Sequence, residues 1–210
     1  MKLDTTLYLV TDSTGLEEEI FLQKIESALQ NGVTLLQLRE KEKSTREYIS
    51  LAEKVHEISQ KYGVPLIIDD RIDVALAAGA EGVHLGQSDM PIDTARKIIG
   101  NEYIIGATTK TVPQALEACE NGADYLGVGA IYPTTTKVKT VLTSVDTLQN
   151  ICDSVSVPVN AIGGLNSGNI DILSGKSIAG ICVVSAIMKA DDSGEATKIL
   201  RNAMREKIGI

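Results

Sequence analysis

Asn121-Gly122-Ala123-Asp124-Tyr125-Leu126-Gly127-Val128-Gly129 reads as a helix end, a turn on Gly122 and a short apolar strand. An earlier stretch, Ala78-Gly79-Ala80-Glu81-Gly82-Val83-His84-Leu85-Gly86, repeats that order. Helix end, turn and buried strand, recurring at roughly 25 residues, is the signature of a βα unit. Outward from these two, β-rich runs fall at 7–11, 35–39, 66–69, 104–108, 157–162 and 180–185, which with 82–85 and 125–129 makes eight. Most are continuously apolar rather than alternating, as parallel strands covered on both faces require.

The segments between the runs carry helical periodicity. Tyr48, Leu51, Ala52, Val55, Ile58, Ser59 and Tyr62 share one stripe, with Glu47, Glu53, Lys54 and Lys61 off it. Phe21, Ile25, Ala28 and Leu29 repeat the pattern. Gly32, Gly63, Gly79 and Gly122 close helices, and Ser44-Thr45 supplies a start signal. No Pro/Ser linker interrupts the series. The expectation is a single-domain (β/α)8 TIM barrel over residues 1–210, with a doubly wound open sheet as the alternative.

Composition narrows function. A formal charge of −8 argues against nucleic acid, whose phosphates are neutralised by Lys and Arg, and one Phe with no Trp leaves little for base stacking. Apolar runs stay far below the ~18 residues of a membrane span, and Met1-Lys2-Leu3-Asp4 lacks a signal-peptide pattern, so a cytoplasmic protein is expected. Cys119, Cys152 and Cys182 are odd in number with no C-x-x-C, and read as reduced thiols. A homo-oligomer is compatible with the sequence.

In such a barrel the loops after the strands build the site, so polar residues at strand C-termini are the candidates. Arg39, Lys41 and Lys137 are cations placed to converge over the mouth, as polyanion binding needs. Asp70 and Asp89, with Asp69 nearby, are oxygen ligands suited to Mg²⁺. Gly163-Gly164 and the turn after Ser185 follow the last two strands, where barrels often set backbone N–H groups against a phosphate. Each has a structural alternative: a rim pair of Arg39 with Glu40 or Asp12, a helix cap at Asp70-Arg71, a tight turn at Gly163-Gly164. His84 reads as a satisfied strand-end histidine and His56 as a surface residue. Position on one face joins these signals.

The same residues resemble the thiamine phosphate synthase family over nearly the whole chain. Gln37-Leu38-Arg39-Glu40-Lys41 is similar to its Q-x-R-x-K segment, and Asp69-Asp70-Arg71-Ile72-Asp73-Val74-Ala75 to its N-D-R-x-D-x-A. Gly82-Val83-His84-Leu85-Gly86-Gln87-Ser88-Asp89 resembles G-V-H-x-G-Q-x-D. The stretch from Gly122 to Gly129, then Pro133-Thr134-Thr135-Thr136-Lys137, resembles G-A-D-Y-x-G-x-G…P-T-x-T-K.

The resemblance implies a transferase that joins a hydroxymethylpyrimidine diphosphate to a thiazole phosphate, releasing pyrophosphate with Mg²⁺. It implies that Arg39, Lys41 and Lys137 hold the diphosphate and that Asp70 and Asp89 hold the metal. Thr134, Thr136, Gly164, Val184 and Ser185 would then contact the thiazole phosphate, with Gln37 and Thr108 by the pyrimidine and its diphosphate. Two positions depart from the pattern: Asp69 stands for Asn, and Thr108-Thr109-Lys110-Thr111 for S-x-H-T. Asp69 can be accommodated by joining Asp70 and Asp89 around the metal, the favoured route, or by pairing with a cation such as Lys110 or Arg39. A tautomerase-like paralogue needs neither diphosphate clamp nor metal carboxylates, and a non-catalytic precursor-binding barrel has no use for the metal pair, so both are less favoured.

Overall fold

Eight strands pair in sequence order, each parallel to the next, and β1 pairs with β8 to close the barrel. The computed structural model describes residues 3–134 and 141–210. The strands are β1 Leu7–Val10, β2 Leu35–Leu38, β3 Leu66–Asp69, β4 Gly82–Leu85, β5 Ile104–Thr109, β6 Tyr125–Gly129, β7 Val159–Ile162 and β8 Gly180–Val183. The helices are α1 Glu18–Gln30, α2 Thr45–Lys61, α3 Ile72–Ala78, α4 Ile92–Ile99, α5 Val112–Glu120, α6 Val145–Ser154, α7 Ser185–Met188 and α8 Ser193–Ile208.

Side chains alternate across each strand, so one sheet has two cores. Leu7, Leu9, Leu36, Leu38, Leu66, Ile68, Val83 and Leu126 face the helices and join their buried stripes. Tyr8, Val10, Leu35, Ile67, Tyr125 and Cys182 fill the barrel. Both faces are therefore dry, which is why the runs lack polar alternation. Each fully buried Leu or Ile contributes about 1.5–3 kcal/mol of transfer free energy.

Local signals place the helices. Ser44 accepts from Glu47 N while the Glu47 carboxylate accepts from Ser44 N, a reciprocal cap that starts α2. Tyr48, Leu51, Ala52, Val55 and Ser59 are its buried stripe, and the Tyr48 hydroxyl donates to Leu38 O at 2.7 Å, anchoring α2 under the end of β2. Gly79 ends α3 in the left-handed conformation at φ 69°.

The turn at Asn121–Asp124 is held by a residue the sequence did not single out. Arg96 Nη1 donates to Gly100 O and Tyr103 O, and its Nη2 to Gly122 O and Asp124 Oδ2, all within 2.6–2.7 Å. Asp124 Oδ2 also accepts from Ile105 N at 2.8 Å, so one guanidinium joins the end of α4 to the starts of β5 and β6.

Three expectations change. Several strand boundaries contract by one or two residues, since Thr11 and Arg39 already belong to loops and Ser185 opens α7, while β5 extends to Thr109. No helix of ordinary length follows β7: a single 3-10 turn, Ile170–Leu173, takes its place. Asn166 and Asn169 explain this, because their side chains accept from Gly168 N and Asn166 N and compete with helical bonding. His56 is not a surface residue. Its ring nitrogens meet Ala78 O and Glu81 Oε1 at 3.2 and 2.9 Å, tying α2 to the segment before β4. Among the described residues no helix is long and apolar enough to cross a membrane.

Candidate active site

Size alone would select the wrong cavity. A depression of about 690 Å³ lies at the N-terminal end of the strands, lined by Asp4, Cys152, Pro158 and Ser177 among others, with no Lys, Arg or His. The smaller cavity, about 170 Å³, opens at the C-terminal ends. There Gln37, Arg39, Asp69, Thr108, Thr134, Gly164, Val184 and Ser185 come together on one lining. They derive from loops or ends of six strands, which only closure of the barrel brings into register. Thr136 and Lys137 lie outside the described residues.

Lys41, Asp70 and Asp89 stand beside this cavity, linked to it through Asp69. Lys41 Nζ is 2.6 Å from Asp69 Oδ2 and also donates to Asp70, while Arg39 Nε lies 3.6 Å from Asp69 Oδ2. Asp69 thus takes the cation-pairing route rather than the metal route. Among the described residues no group of three or more His, Cys, Asp or Glu is arranged to hold a metal. Asp69 is the last strand residue, whereas Asp70 has φ +59°, a left-handed conformation that Asp tolerates at roughly 1 kcal/mol, and one Lys41 ammonium reaches both carboxylates. Asp70 N remains on the ladder, donating to His84 O at 3.0 Å. The cap position of α3 falls to Arg71, which makes no side-chain cap bond, so Asp70 is not a capping residue.

That turn brings the Asp70 and Asp89 carboxyls into hydrogen-bond contact. Burial works against the ionised form of both. At Asp70 burial is the largest single effect, but the hydrogen bonds to Lys41 and Asp89 and the Lys41 charge together outweigh it and hold the carboxyl below the usual range. At Asp89 burial and the Asp70 contact push the carboxyl up. Asp69 is raised by burial first and by Asp70 second, against the pull of Lys41. Burial lowers Lys41, yet its bonds to Asp69 and Asp70 together keep the ammonium above the ordinary lysine value. Two touching carboxyls beside a cationic, anion-sized opening fit Mg²⁺ with phosphate oxygens completing its shell.

The opposite wall is backbone. Gly163 and Gly164 both have positive φ, 106° and 67°. A Cβ on Gly164 would meet Tyr132 Cβ at 2.7 Å and Pro133 O at 2.8 Å, so only glycine fits. Asn169 Nδ2 donates to Gly164 O at 2.9 Å and fixes the turn. Ser185 opens α7 next to it; Ile187 N and Met188 N donate to Val184 O, so the Ser185 and Ala186 N–H groups are the ones without an intrahelical acceptor. Thr134 and Ser185 add hydroxyls, so this wall presents donors suited to a phosphate monoester.

The floor holds two residues that sequence reading does not single out, Tyr8 and Tyr125. Gln37 Nε2 donates to the Tyr8 hydroxyl, which lies 2.8 Å from the Tyr125 hydroxyl. Tyr125 Oη is 3.0 Å from His84 Nδ1, and His84 Nε2 is 2.9 Å from Thr108 Oγ1. Tyr8 and Tyr125 meet edge to face, with ring centroids 5.6 Å apart. In the sequence both tyrosines fall inside apolar strands, where an aromatic reads as core. The available signal was a glycine opposite them: a Cβ on Gly106 would fall 2.1 Å from Tyr125 Cζ and 2.5 Å from His84 Nδ1. Lys110 and Cys182 also line the cavity.

This geometry has close relatives. A family model for thiamine monophosphate synthase matches residues 7–187. "Thiamine-phosphate synthase 2" of Streptococcus pneumoniae is 54% identical over 186 residues, 89% of each chain. "Thiamine-phosphate synthase" of Clostridium tetani is 45% identical over 204 residues, 97% of this chain and 98% of that protein. The solved structure of a thiamine phosphate pyrophosphorylase from Pyrococcus furiosus superposes with a TM-score of 0.89 at 38% identity, over 99% of both chains. Barrel, mouth and near full-length identity agree: the chain belongs to the thiamine monophosphate synthase family, whose members are transferases.

Proposed function

We propose that this chain joins 4-amino-2-methyl-5-hydroxymethylpyrimidine diphosphate to 4-methyl-5-(2-phosphoethyl)thiazole, giving thiamine phosphate and pyrophosphate. One observation carries the reading: a single cavity has a charged wall at Arg39 and Asp69 and a glycine-rich donor wall at Gly163-Gly164 and Ser185. Two dissimilar anion-binding walls suit two phosphorylated substrates held face to face.

Arg39, Lys41 and Lys137 receive the diphosphate. Asp70 and Asp89 would hold Mg²⁺, which when bound would neutralise charge building on the leaving group. Gln37 and Thr108 orient the pyrimidine and its diphosphate, and Asp69 sets the charge of the clamp. Thr134, Thr136, Gly164, Val184 and Ser185 hold the thiazole phosphate. With both ends fixed, the thiazole nitrogen lies in line with the pyrimidine methylene, a proximity effect. The pyrimidine amino group donates electron density to that methylene, so pyrophosphate leaves dissociatively and no protein nucleophile is required. Burial pushes the Cys182 thiol far up, which keeps it protonated and unreactive at the cavity.

The test mixes the two phosphorylated precursors with protein and Mg²⁺ and measures pyrophosphate and thiamine phosphate together. Equal release of both products is expected. Pyrophosphate without thiamine phosphate, or neither product, would refute the reading.

A further inference from the structure

Five side chains from five strands form one hydrogen-bonded row beneath the cavity: Gln37, Tyr8, Tyr125, His84 and Thr108. Gln37, Tyr8, His84 and Thr108 line the cavity; Tyr125, in the middle of the row, does not, and is fully buried. The distances leave the donors of the Tyr8–Tyr125, Tyr125–His84 and His84–Thr108 bonds open. Starting from the Gln37 N–H given to Tyr8, one self-consistent assignment has Tyr8 donating to Tyr125, Tyr125 donating to His84 Nδ1, and His84 Nε2–H donating to Thr108 Oγ1. Burial pushes both phenols up, so neither gap is filled by a phenolate. In that assignment the amide oxygen of Gln37 is turned to the cavity as an acceptor. The Thr108 hydroxyl keeps one O–H to give to a ligand oxygen.

We propose that Tyr8, Tyr125 and His84 act as a one-way relay that fixes Gln37 as an acceptor and Thr108 as a donor. On this view Tyr125 is a positioning residue for a ring it never touches. Resting on the reaction proposed above, the relay explains how the site chooses its heterocycle. An acceptor at Gln37 matches an exocyclic amine and opposes a carbonyl. An oxopyrimidine diphosphate would need the amide reversed, and reversal requires every proton in the row to turn at once. Sites built around a fixed polar group reject the unmatched analogue strongly, since the mismatch leaves buried groups unpaired.

Tyr125→Phe keeps the ring and its edge-to-face packing while breaking the row in its middle. Gln37 is then free to rotate. The preference in kcat/KM for the amino- over the oxopyrimidine diphosphate is expected to fall by roughly tenfold, the effect of one buried hydrogen bond. KM for the thiazole phosphate is expected to stay within about twofold. Tyr8→Phe, which breaks the row one bond earlier, is expected to behave alike and serves if Tyr125→Phe is unstable. A purely structural role lowers activity or melting temperature and leaves the ratio intact; an unchanged ratio in an active variant overturns the relay. A second measurement is independent of catalysis. Nitrogen-15 NMR of the protein carrying His56→Gln, which leaves His84 as the single histidine, is expected to show the neutral Nε2–H tautomer. An Nδ1–H tautomer or an imidazolium overturns the relay even if the wild type proves to be the proposed synthase. Loss of pyrophosphate release by the wild type, with the expected tautomer present, counts against the reaction and not the relay.

Discussion

Replacing Asp69 by Asn removes one charge with almost no change in volume, at the point where two cations meet. The carboxylate lies 2.6 Å from Lys41 Nζ and 3.6 Å from Arg39 Nε, and its side chain is only 11% exposed. An anion taken up by Arg39 and Lys41 sits two nitrogen–oxygen contacts away, about 6 Å from Asp69. At that separation two unit charges repel by about 3 kcal/mol at an effective dielectric near 20. Lys41 and any bound cation screen part of this, leaving about 1–3 kcal/mol, or roughly 5- to 150-fold in affinity. Asp69→Asn is therefore expected to lower KM for the pyrimidine diphosphate by about tenfold. Stability is expected to change by less than about 1 kcal/mol, because Lys41 keeps Asp70 and burial already disfavours the Asp69 charge. The assay is a steady-state titration of the diphosphate at saturating Mg²⁺, repeated as a Mg²⁺ titration at fixed diphosphate. An unchanged diphosphate KM with a higher Mg²⁺ midpoint would refute the reasoning and return Asp69 to the metal.

Asp89→Asn keeps an acceptor for Gly86 N, so it tests charge rather than the turn; kcat should fall at least a hundredfold, and full activity in EDTA would exclude a metal role. Gly164→Ala forces a Cβ into the Tyr132–Pro133 backbone at a left-handed φ, costing roughly 1–2 kcal/mol before any collision. KM for the thiazole phosphate should rise about tenfold or more while that for the diphosphate holds, as initial rates will tell. Arg96→Ala strips four hydrogen bonds from two loops; a loss of about 3 kcal/mol, seen as a fall of roughly 6–12 °C in Tm, should leave both KM values unchanged.

Periodicity carried the barrel because the physics that buries a parallel strand on both faces also makes it continuously apolar. Glycines at helix ends marked the units, and Gly79 adopts the left-handed turn its position requires. The mouth was legible for the same reason: Gln37, Arg39, Asp69, Thr108 and Gly164 follow strands whose ends must point one way. What stayed hidden were contacts between strands far apart in sequence. Arg96 looks like one more cation on an amphipathic helix, and only the fold shows it serving the loops before β5 and β6. Tyr8 and Tyr125 are separated by 117 residues, and no local pattern distinguishes a tyrosine whose hydroxyl is bonded from one that merely fills space. Adjacent carboxylates invite a shared role at a metal, and what only the fold shows is that Asp69 and Asp70 share the Lys41 ammonium.

The charges at the mouth also bear on how an acidic chain retains a polyanion. Arg39 and Lys41 pair with Asp69 and Asp70, Asp89 touches Asp70, and Lys110 lines the same cavity: three cations and three carboxyls at one mouth. Fully ionised, the described cluster is neutral, and a diphosphate entering it would leave a large negative excess in a half-buried site within a protein of net charge −8. Burial and Asp70 push the Asp89 carboxyl up, so its ionised form is disfavoured beside Asp70. A divalent cation there would add positive charge where the diphosphate must lie and turn the Asp70–Asp89 contact from a liability into a ligand pair. On the proposed reading, metal and diphosphate therefore bind with positive coupling, each raising affinity for the other by the same factor. Isothermal titration of diphosphate with and without Mg²⁺ measures that factor directly, and a value of one would show that the carboxyls and the cations belong to separate functions.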